Sequence, residues 1–270
     1  MSYLLHFKVF VRHFFPKPEE ALLRRLRARR HHSEREPFIL PDGRKVQGLK
    51  PLEAYHEYKD IFMKGIYHFD SQKRSPVIID GGGYVGFSSL YFLGKYPEAQ
   101  LSIFECDPEI SKVLKANLET NGHQKFELVQ AALTAEDGEA TFYRSGDDAG
   151  SLFQAGDESF TVKCCSLRPW LERHEEVDFL KLNIEGAEMD VLASCEDLLG
   201  RVREMVIEFH SFVGQDQRLQ ELLSTLSRAG FRYLLNHFDE ESNWAATPPF
   251  HLDRDSSYVL LVYGKREDLL

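Results

Sequence analysis

Cysteine is scarce in this 270-residue sequence, and its spacing marks neither a crosslink nor a metal site. The four cysteines, Cys106, Cys164, Cys165 and Cys195, form no Cys-x-x-Cys pair and no metal-ligand spacing with histidine. A chain of this length with 43% apolar residues can bury a core without disulfide bonds. We therefore expect one globular body with reduced thiols and a cytoplasmic location.

Positive charge is also in short supply, with 33 Lys and Arg against 43 Asp and Glu and a formal net charge of -10. A sequence-independent grip on nucleic acid requires a basic surface that releases counterions from phosphates. We therefore expect no nucleic-acid partner. The shortage is uneven, because residues 1–36 contain nine Lys and Arg against four Asp and Glu, which gives about +5 there and about -15 in the remainder.

Long uninterrupted apolar segments are missing as well. The apolar stretch at residues 3–15 is too short to span a bilayer, and no small-residue cleavage site follows it. We expect neither a transmembrane helix nor a secretory signal peptide there. Residues 19–30 predict a short helix with a leucine stripe among arginines, so residues 1–36 form either a helical cap on the domain or a peripheral contact with a membrane or protein. We divide the chain into a basic N-terminal helical arm and lead-in, residues 1–54, and a main domain, residues 55–270.

From residue 76 onward the chain alternates between strand and helix patterns. Short apolar runs predict buried strands, and amphipathic stretches between them predict helices. The main predicted strands are 76–80, 101–105, 126–129, 179–183 and 205–210, and the helices are 87–95, 108–120, 187–199 and 217–229. This alternation predicts a doubly wound, mostly parallel α/β sheet with right-handed crossovers.

Other segments predict additions to this sheet. They are a hairpin or loop at 37–48, inserted strands at 139–143 and 160–166, a covering loop at 145–157, and an antiparallel edge hairpin made by 231–238 and 257–263. In a doubly wound sheet the ligand lies at the carboxyl ends of the strands. The residues directly after each strand are therefore the candidates for function.

A glycine-rich turn, Asp80-Gly-Gly-Gly-Tyr-Val-Gly86, follows the first main strand. Gly81, Gly83 and Gly86 match G-x-G-x-x-G, and Glu105 ends the next strand, where it can accept hydrogen bonds from both ribose hydroxyls. The pattern alone fits a nicotinamide dinucleotide, S-adenosylmethionine, or a turn with no ligand. Asp80 favours S-adenosylmethionine, because a carboxylate would repel a pyrophosphate but can help to hold an ammonium group.

The second polar constellation follows the strand at 179–183, in the segment Lys181-Leu-Asn-Ile-Glu-Gly-Ala-Glu188. Polar side chains at a buried strand end are costly unless they are used. Lys181, Asn183 and Glu185 are therefore candidate site residues. Glu188 has two open interpretations, a functional group or an acidic residue in the first turn of a helix.

Together, these segments resemble the FkbM family of methyltransferases. The resemblance is carried by the glycine turn, Phe104-Glu105-Cys106-Asp107-Pro108, Gln130-Ala-Ala-Leu133, the segment 181–188 and Ile207-Glu-Phe-His210, and it extends over about residues 55–265. It implies a Rossmann-like class I methyltransferase fold, S-adenosylmethionine as the methyl donor, and O-methylation of a small molecule or glycan. The implied cofactor-binding residues are Asp80, Gly81, Gly83, Tyr84, Gly86, Glu105, Cys106, Ala131 and Asn183. The family pattern usually has Asp where this chain has Asn183, which keeps hydrogen bonding but loses a charge.

Methyl transfer to a hydroxyl requires a group that removes the hydroxyl proton. Glu185 and His210 are the predicted bases, and Lys181 is predicted either to stabilise a developing alkoxide or to pair with Glu185. The sequence leaves open whether a magnesium ion is held by oxygen ligands such as Asn183 and Glu185, and we assign no metal ligand. Two other functions are kept as alternatives to an O-methyltransferase: a cofactor-binding or assembly protein without turnover, and a nicotinamide-dependent oxidoreductase.

Overall fold

A computed structural model of the chain describes residues 37–144, 150–151, 158–237 and 258–270. The features expected of residues 1–36, and most of the covering loop expected at 145–157, lie outside these ranges and stay predictions. Of the helices inside the described ranges, none has the length and apolar character that a membrane span requires.

The strands of the described residues form three sheets. In chain order they are β1 (Phe38–Ile39), β2 (Lys45–Val46), β3 (Val77–Gly81), β4 (Gln100–Phe104), β5 (Glu127–Val129), β6 (Ala132–Thr134), β7 (Gly138–Arg144), β8 (Gly150–Ser151), β9 (Glu158–Ser166), β10 (Val177–Leu182), β11 (Val202–Ser211), β12 (Phe231–Asn236) and β13 (Tyr258–Arg266). The main sheet has the order β12-β13-β11-β10-β3-β4-β5, the second has the order β6-β9-β7-β8, and β1 pairs with β2.

Helices cover the main sheet. They are α1 (Pro51–Glu57), which continues as a π-helix (Tyr58–Lys64), then α2 (Phe87–Lys95), α3 (Pro108–Thr120), α4 (Arg168–Arg173), α5 (Glu188–Ser194) and α6 (Leu219–Arg228), with short 3-10 helices at Glu196–Arg201 and Glu267–Leu269. The sequence supplies the start of α3 directly: Asp107 accepts hydrogen bonds from the backbone N–H groups of Glu109 and Ile110 at 2.8 and 3.3 Å, and Pro108 fills the first helical position.

The main sheet is parallel except for β13, which runs antiparallel to both β11 and β12. The predicted doubly wound, mostly parallel sheet with a C-terminal antiparallel hairpin is therefore confirmed. The chain builds outward from β3 through β4 to β5 and then crosses back to place β10 on the other side of β3. The topological switch point, where such sheets bind ligands, therefore lies between the carboxyl ends of β3 and β10.

The two strands at the switch point are buried along their whole length, as their continuous apolar sequence predicts. Ile78 and Phe179 belong to the core on one face of the sheet. Ile79 and Leu180 belong to the core on the opposite face. Because both faces are covered, polar side chains of these strands can meet ligand at the carboxyl edge, where the strands end.

The N-terminal hairpin and the α1–π segment pack on the first of these cores. The predicted hairpin is confirmed, since Phe38 pairs with Val46 and both are buried with Ile78. Phe62 of the π-helix meets the rings of Phe87 and Tyr91 with centroids 6.3 and 5.5 Å away. The described part of the lead-in thus shares the main core, and the division at residue 54 stays a prediction.

The single helix predicted at 187–199 is wrong. Helix α5 ends at Ser194, and after Cys195, which has a non-helical φ of -127°, the chain continues as the 3-10 helix Glu196–Arg201. Leu199 and Val202 are fully buried, so the chain turns tightly here and enters β11 at once. Helices α1 and α4 and strands β6 and β8 were not predicted, because they are short and depend on tertiary packing.

Candidate functional site

The glycine turn begins at the carboxyl end of β3, beside the end of β10. Lys181 is the register partner of Asp80, and Leu182 is the partner of Gly81. The backbone N–H groups of Gly82 and Gly83 donate hydrogen bonds to Phe104 O at 3.0 and 2.8 Å. The turn is therefore fixed between three strands, which leaves its outer surface for a ligand.

Close packing explains why Gly81 and Gly83 are glycines. A Cβ on Gly81 would lie 2.8 Å from Leu182 Cδ2, and a Cβ on Gly83 would lie 2.4 Å from Ile103 Cγ2. The most demanding position was missed, since Gly82 has a φ of +79° and its Cβ would lie 1.8 Å from the backbone oxygen of Asn183. The run of three glycines was the signal, because the G-x-G-x-x-G pattern leaves its middle position unspecified.

Glu105 faces the turn from the end of β4. Its Oε2 accepts a hydrogen bond from Tyr84 N and its Oε1 accepts one from Asp107 N, both at 2.9 Å. Burial raises the pKa of Glu105 to about 7. Tyr84 has a φ of +46°, a left-handed conformation that is uncommon outside glycine and that clusters at functional sites.

Cys106 and Ala131 lie at the ends of the neighbouring strands. Cys106 packs against the small core of the second sheet, and burial raises the pKa of its thiol well above the usual range. Ala131 is buried, and its N–H group donates to Val129 O at 3.0 Å. Arg144 of β7 donates to Asp107 Oδ2 at 2.6 Å, so the second sheet is tied to this side of the site.

Asp80 and Lys181 form a buried pair beneath the turn. Asp80 is 0% exposed, and its Oδ2 accepts hydrogen bonds from Ser88 Oγ and Ser89 Oγ, each at 2.7 Å. Lys181 Nζ lies 3.2 Å from Asp80 Oδ1, but it directs its hydrogen bonds to Gly81 O at 3.1 Å and Gly82 O at 2.5 Å. Asp80 Oδ1 consequently has no hydrogen-bond partner among the described residues.

Glu185, Glu188 and His210 meet at the ends of β10 and β11. His210 Nε2 lies 3.6 Å from Glu185 Oε2, and His210 Nδ1 lies 3.1 Å from Glu188 Oε1. Glu188 also accepts hydrogen bonds from Ile184 N at 3.1 Å and Gly186 N at 3.0 Å. Glu188 therefore lies in the first turn of α5, where it fixes the loop that carries Glu185, and it also contacts the candidate base His210.

The two predicted bases differ in charge. Burial acts to lower the pKa of His210, but the hydrogen bond with Glu188 and the charges of Glu185, Glu188 and Glu208 outweigh it and raise that pKa to about 9. Burial raises the pKa of Glu185, which also has a left-handed φ of +54°. At neutral pH His210 is mostly an imidazolium, which cannot accept a proton, so Glu185 is the remaining candidate base.

A further buried cluster was missed from the sequence. The Tyr67 hydroxyl donates a hydrogen bond to Glu208 Oε1, and burial raises the pKa of both groups. Burial also raises the pKa of Glu57, the last residue of α1, to about 7. Glu208 lies in Ile207-Glu-Phe-His210 and could have been singled out, but no sequence pattern links it to Tyr67, 141 residues away.

These residues fit a nucleoside that carries an amino acid tail. Glu105 offers hydrogen-bond acceptors to ribose hydroxyls. Because Gly82 has no Cβ, the turn can approach the backbone of Asn183 closely. Asn183 Oδ1 is a buried acceptor without a hydrogen-bond partner among the described residues, which suits an ammonium donor. Within the same ranges, no group of three or more His, Cys, Asp or Glu side chains is arranged to hold a metal ion.

Comparisons with known proteins find a family match and similar methyltransferases. The methyltransferase FkbM domain matches residues 80–233. The chain is 27% identical to methyltransferase sdnD of Sordaria araneosa over 69% of this chain and 86% of that protein. It is 27% identical to the 2-O-methyltransferase NoeI of Sinorhizobium fredii over 56% of this chain and 68% of that protein.

Two further similarities differ in extent. The AMB antimetabolite synthetase AmbE of Pseudomonas aeruginosa is 28% identical over 78% of this chain, and the match spans only 12% of that protein. The solved structure of magnesium protoporphyrin IX methyltransferase from Synechocystis PCC 6803 with bound SAM covers 96% of this chain and 97% of that chain, at 10% identity and a TM-score of 0.47.

Proposed function

Since the chain belongs to the FkbM methyltransferase family, we propose that it transfers a methyl group from S-adenosylmethionine to a hydroxyl of a small molecule or glycan. The observation that carries the proposal is Glu185, a carboxylate in the loop after β10 that lies 3.6 Å from His210 Nε2 and has a left-handed backbone. The 2-O-methyl specificity in the name of NoeI supports oxygen as the acceptor atom.

The chain's own groups have distinct parts in holding the methyl donor. Glu105 would accept hydrogen bonds from the ribose hydroxyls, and the glycines of the turn and Asn183 would hold the amino acid tail. Tyr84, Cys106 and Ala131 would line the base. Asp80 is fully buried, so it acts on the cofactor site through Lys181. It forms an ion pair with Lys181, which donates hydrogen bonds to the carbonyl oxygens of Gly81 and Gly82.

S-adenosylmethionine supplies an activated methyl group on a sulfonium sulfur. Glu185 removes the proton of the acceptor hydroxyl, because its raised pKa makes it a stronger base than an exposed glutamate. His210 keeps its proton and orients Glu185 across 3.6 Å, while Glu188 holds the imidazolium from the other side. Lys181 is 2% exposed and pairs with Asp80, so we assign it a positioning role.

Binding and turnover measurements test this proposal. Calorimetry of the full chain with S-adenosylhomocysteine and with NAD should give binding of the first ligand only. Release of S-adenosylhomocysteine is then followed with a panel of hydroxylated acceptors. Glu185→Gln should lower turnover by about 100-fold or more with cofactor affinity unchanged, whereas Glu139→Gln, at an exposed glutamate of β7, should have no effect.

Each other outcome contradicts a defined part of the proposal. Binding of NAD alone would support the oxidoreductase alternative. Binding of S-adenosylhomocysteine without turnover on any acceptor would support a cofactor-binding protein. Full turnover in Glu185→Gln would mean that catalysis is mostly positional. A loss of turnover in His210→Gln that is no larger below pH 9 than above it would contradict a protonated orienting group.

A further inference from the structure

The segment directly after the π-helix packs on the main sheet close to the candidate site. Gly65, with a left-handed φ of +70°, ends the π-helix, and Tyr67 and Phe69 are each 3% exposed. The Phe69 ring stacks on Phe179 of β10 with centroids 4.5 Å apart. Phe179 lies two residues before Lys181, and alternate residues of a strand face the same side of the sheet. The segment therefore packs on the face from which the Lys181 side chain projects.

Tyr67 makes two polar contacts on that face. Its ring centre lies 5.5 Å from Lys181 Nζ, within the range of a cation–π interaction. Its hydroxyl donates a hydrogen bond to Glu208 Oε1. Tyr67 also lies outside residues 80–233, the range that the FkbM domain matches. A side chain from before the matched domain thus contacts two polar residues inside it.

Lys181 and Glu208 are near each other, but each has another partner. Lys181 is the register partner of Val206, so Glu208 lies on the neighbouring strand, two residues farther along and on the same face. Burial raises the pKa of Glu208, and the charge of Lys181 opposes that rise. Lys181 nevertheless forms its ion pair with Asp80, at 3.2 Å, while Glu208 is hydrogen-bonded by Tyr67.

Without the Tyr67 hydroxyl, Glu208 would compete for the Lys181 ammonium. Glu208 is 6% exposed, so water cannot fully replace a lost hydrogen bond, and a buried carboxylate without a donor is costly. Lysine has a flexible stem that can direct its ammonium toward a new acceptor. Because this ammonium bonds Gly81 O at 3.1 Å and Gly82 O at 2.5 Å, such a rotation would withdraw hydrogen bonds from the glycine turn.

Resting on the proposed binding of S-adenosylmethionine at the glycine turn, we propose that Tyr67 is a positioning residue of the cofactor site. Its hydroxyl satisfies Glu208, and Lys181 thereby keeps its hydrogen bonds to the carbonyl oxygens of the turn. Its ring provides a second contact that holds the ammonium in place. The cofactor site therefore depends on a residue outside the range that the family match covers.

Tyr67→Phe isolates the part played by the hydroxyl, because the ring against Lys181 is kept. The variant leaves Glu208 without its hydrogen-bond donor, and the glycine turn loses hydrogen bonds from Lys181. Calorimetry of the full chain should show S-adenosylhomocysteine bound about tenfold more weakly than in wild type, which is the scale of one charged hydrogen bond.

A double variant separates the redirection of Lys181 from a simple loss of packing. Tyr67→Phe combined with Glu208→Gln replaces the competing carboxylate by a neutral amide, so Lys181 keeps its hydrogen bonds to the turn. The affinity for S-adenosylhomocysteine should recover to within about threefold of wild type, the level also expected of Glu208→Gln alone. If Tyr67 only supported packing, the double variant would bind at least as weakly as Tyr67→Phe.

Tyr96→Phe is the matched control, because it removes another hydroxyl that anchors the same segment. Tyr96 Oη accepts a hydrogen bond from Ser71 N at 2.9 Å and donates one to Phe69 O at 3.2 Å. The substitution weakens the attachment of the segment but leaves the contacts of Glu208 and Lys181 unchanged. Chemical denaturation should show a lower free energy of unfolding, while the affinity for S-adenosylhomocysteine stays within about twofold of wild type.

The inference is overturned if Tyr67→Phe binds S-adenosylhomocysteine as tightly as wild type, or if the double variant does not recover affinity. It is also overturned if Tyr96→Phe loses as much affinity as Tyr67→Phe, since anchoring of the segment would then explain both results. Failure of the proposed function has another signature, namely that the wild-type chain does not bind S-adenosylhomocysteine. In that case both the function and the positioning role are rejected.

Discussion

The two edges of the main sheet treat buried carboxylates in opposite ways. At the amino edge, Asp178 is 2% exposed and accepts hydrogen bonds from Val77 N at 2.9 Å, Ser71 Oγ at 3.1 Å and Lys73 Nζ at 3.0 Å. At the carboxyl edge, the equally buried Asp80 has an oxygen without a hydrogen-bond partner among the described residues. One edge satisfies the hydrogen-bonding capacity of its buried carboxylate, and the other leaves part of that capacity open even though Lys181 compensates the charge.

The pKa values of the acidic side chains and the backbone conformations also differ between the two edges of the sheet. Burial acts to raise the pKa of Glu176 at the amino edge, but the hydrogen bond from Lys73 and the charge of Arg203 lower it overall. At the carboxyl edge burial prevails and raises the pKa of Glu105 to about 7. The left-handed residues Tyr84 and Glu185 also lie at this edge. Left-handed backbone and unmet hydrogen-bonding capacity therefore gather at the edge where the ligand is expected, as is common at functional sites.

The largest effect is expected from Gly82→Ala at the carboxyl edge. The new Cβ would lie 1.8 Å from Asn183 O, in a backbone with a φ of +79°. The left-handed conformation alone costs about 1–2 kcal/mol, and the ends of β3 and β10 must also separate. Calorimetry should detect no binding of S-adenosylhomocysteine. Gly200→Ala, where the added Cβ meets no atom within 4 Å, should bind normally. Unchanged binding in Gly82→Ala would mean that this turn does not hold the cofactor.

The next effect concerns stability at the amino edge. Asp178→Ala leaves Val77 N and Lys73 without their buried acceptor, so the free energy of unfolding should fall by about 3 kcal/mol. Cofactor affinity should not change, because the substitution lies at the opposite edge from the turn. Chemical denaturation measures the first quantity and calorimetry the second. Glu98→Ala breaks an exposed pair with Arg74 and should cost less than about 1 kcal/mol. A loss of affinity in Asp178→Ala would break the proposed division between the edges.

The smallest effect is expected from Glu105→Ala. Loss of charged hydrogen bonds to the ribose should weaken S-adenosylhomocysteine binding by about 2 kcal/mol, or about thirtyfold. Glu109→Ala, at an exposed acid in the first turn of α3, provides the control. An unchanged dissociation constant for Glu105→Ala would show that Glu105 is not the ribose ligand.

Much of the scaffold was predictable because its signals are local. The buried runs of β3 and β10, the glycine turn and the capped start of α3 are each encoded within a few consecutive residues. Prediction of α5 was wrong where the chain had to turn into β11, because that turn is set by the burial of Leu199 and Val202 rather than by helix propensity. The roles of the individual site residues stay predictions until ligands are tested.

The sequence by itself determined which groups stand at the carboxyl edge, since strand ends and turn glycines follow from hydrophobic pattern and backbone sterics. Only the tertiary structure decided what those groups do to one another. Lys181 pairs with Asp80, His210 lies between two glutamates and so holds its proton, and Tyr67 reaches Glu208 from 141 residues away. Ionisation in a buried site depends on the charges and the desolvation imposed by distant segments, and only folding brings those segments together.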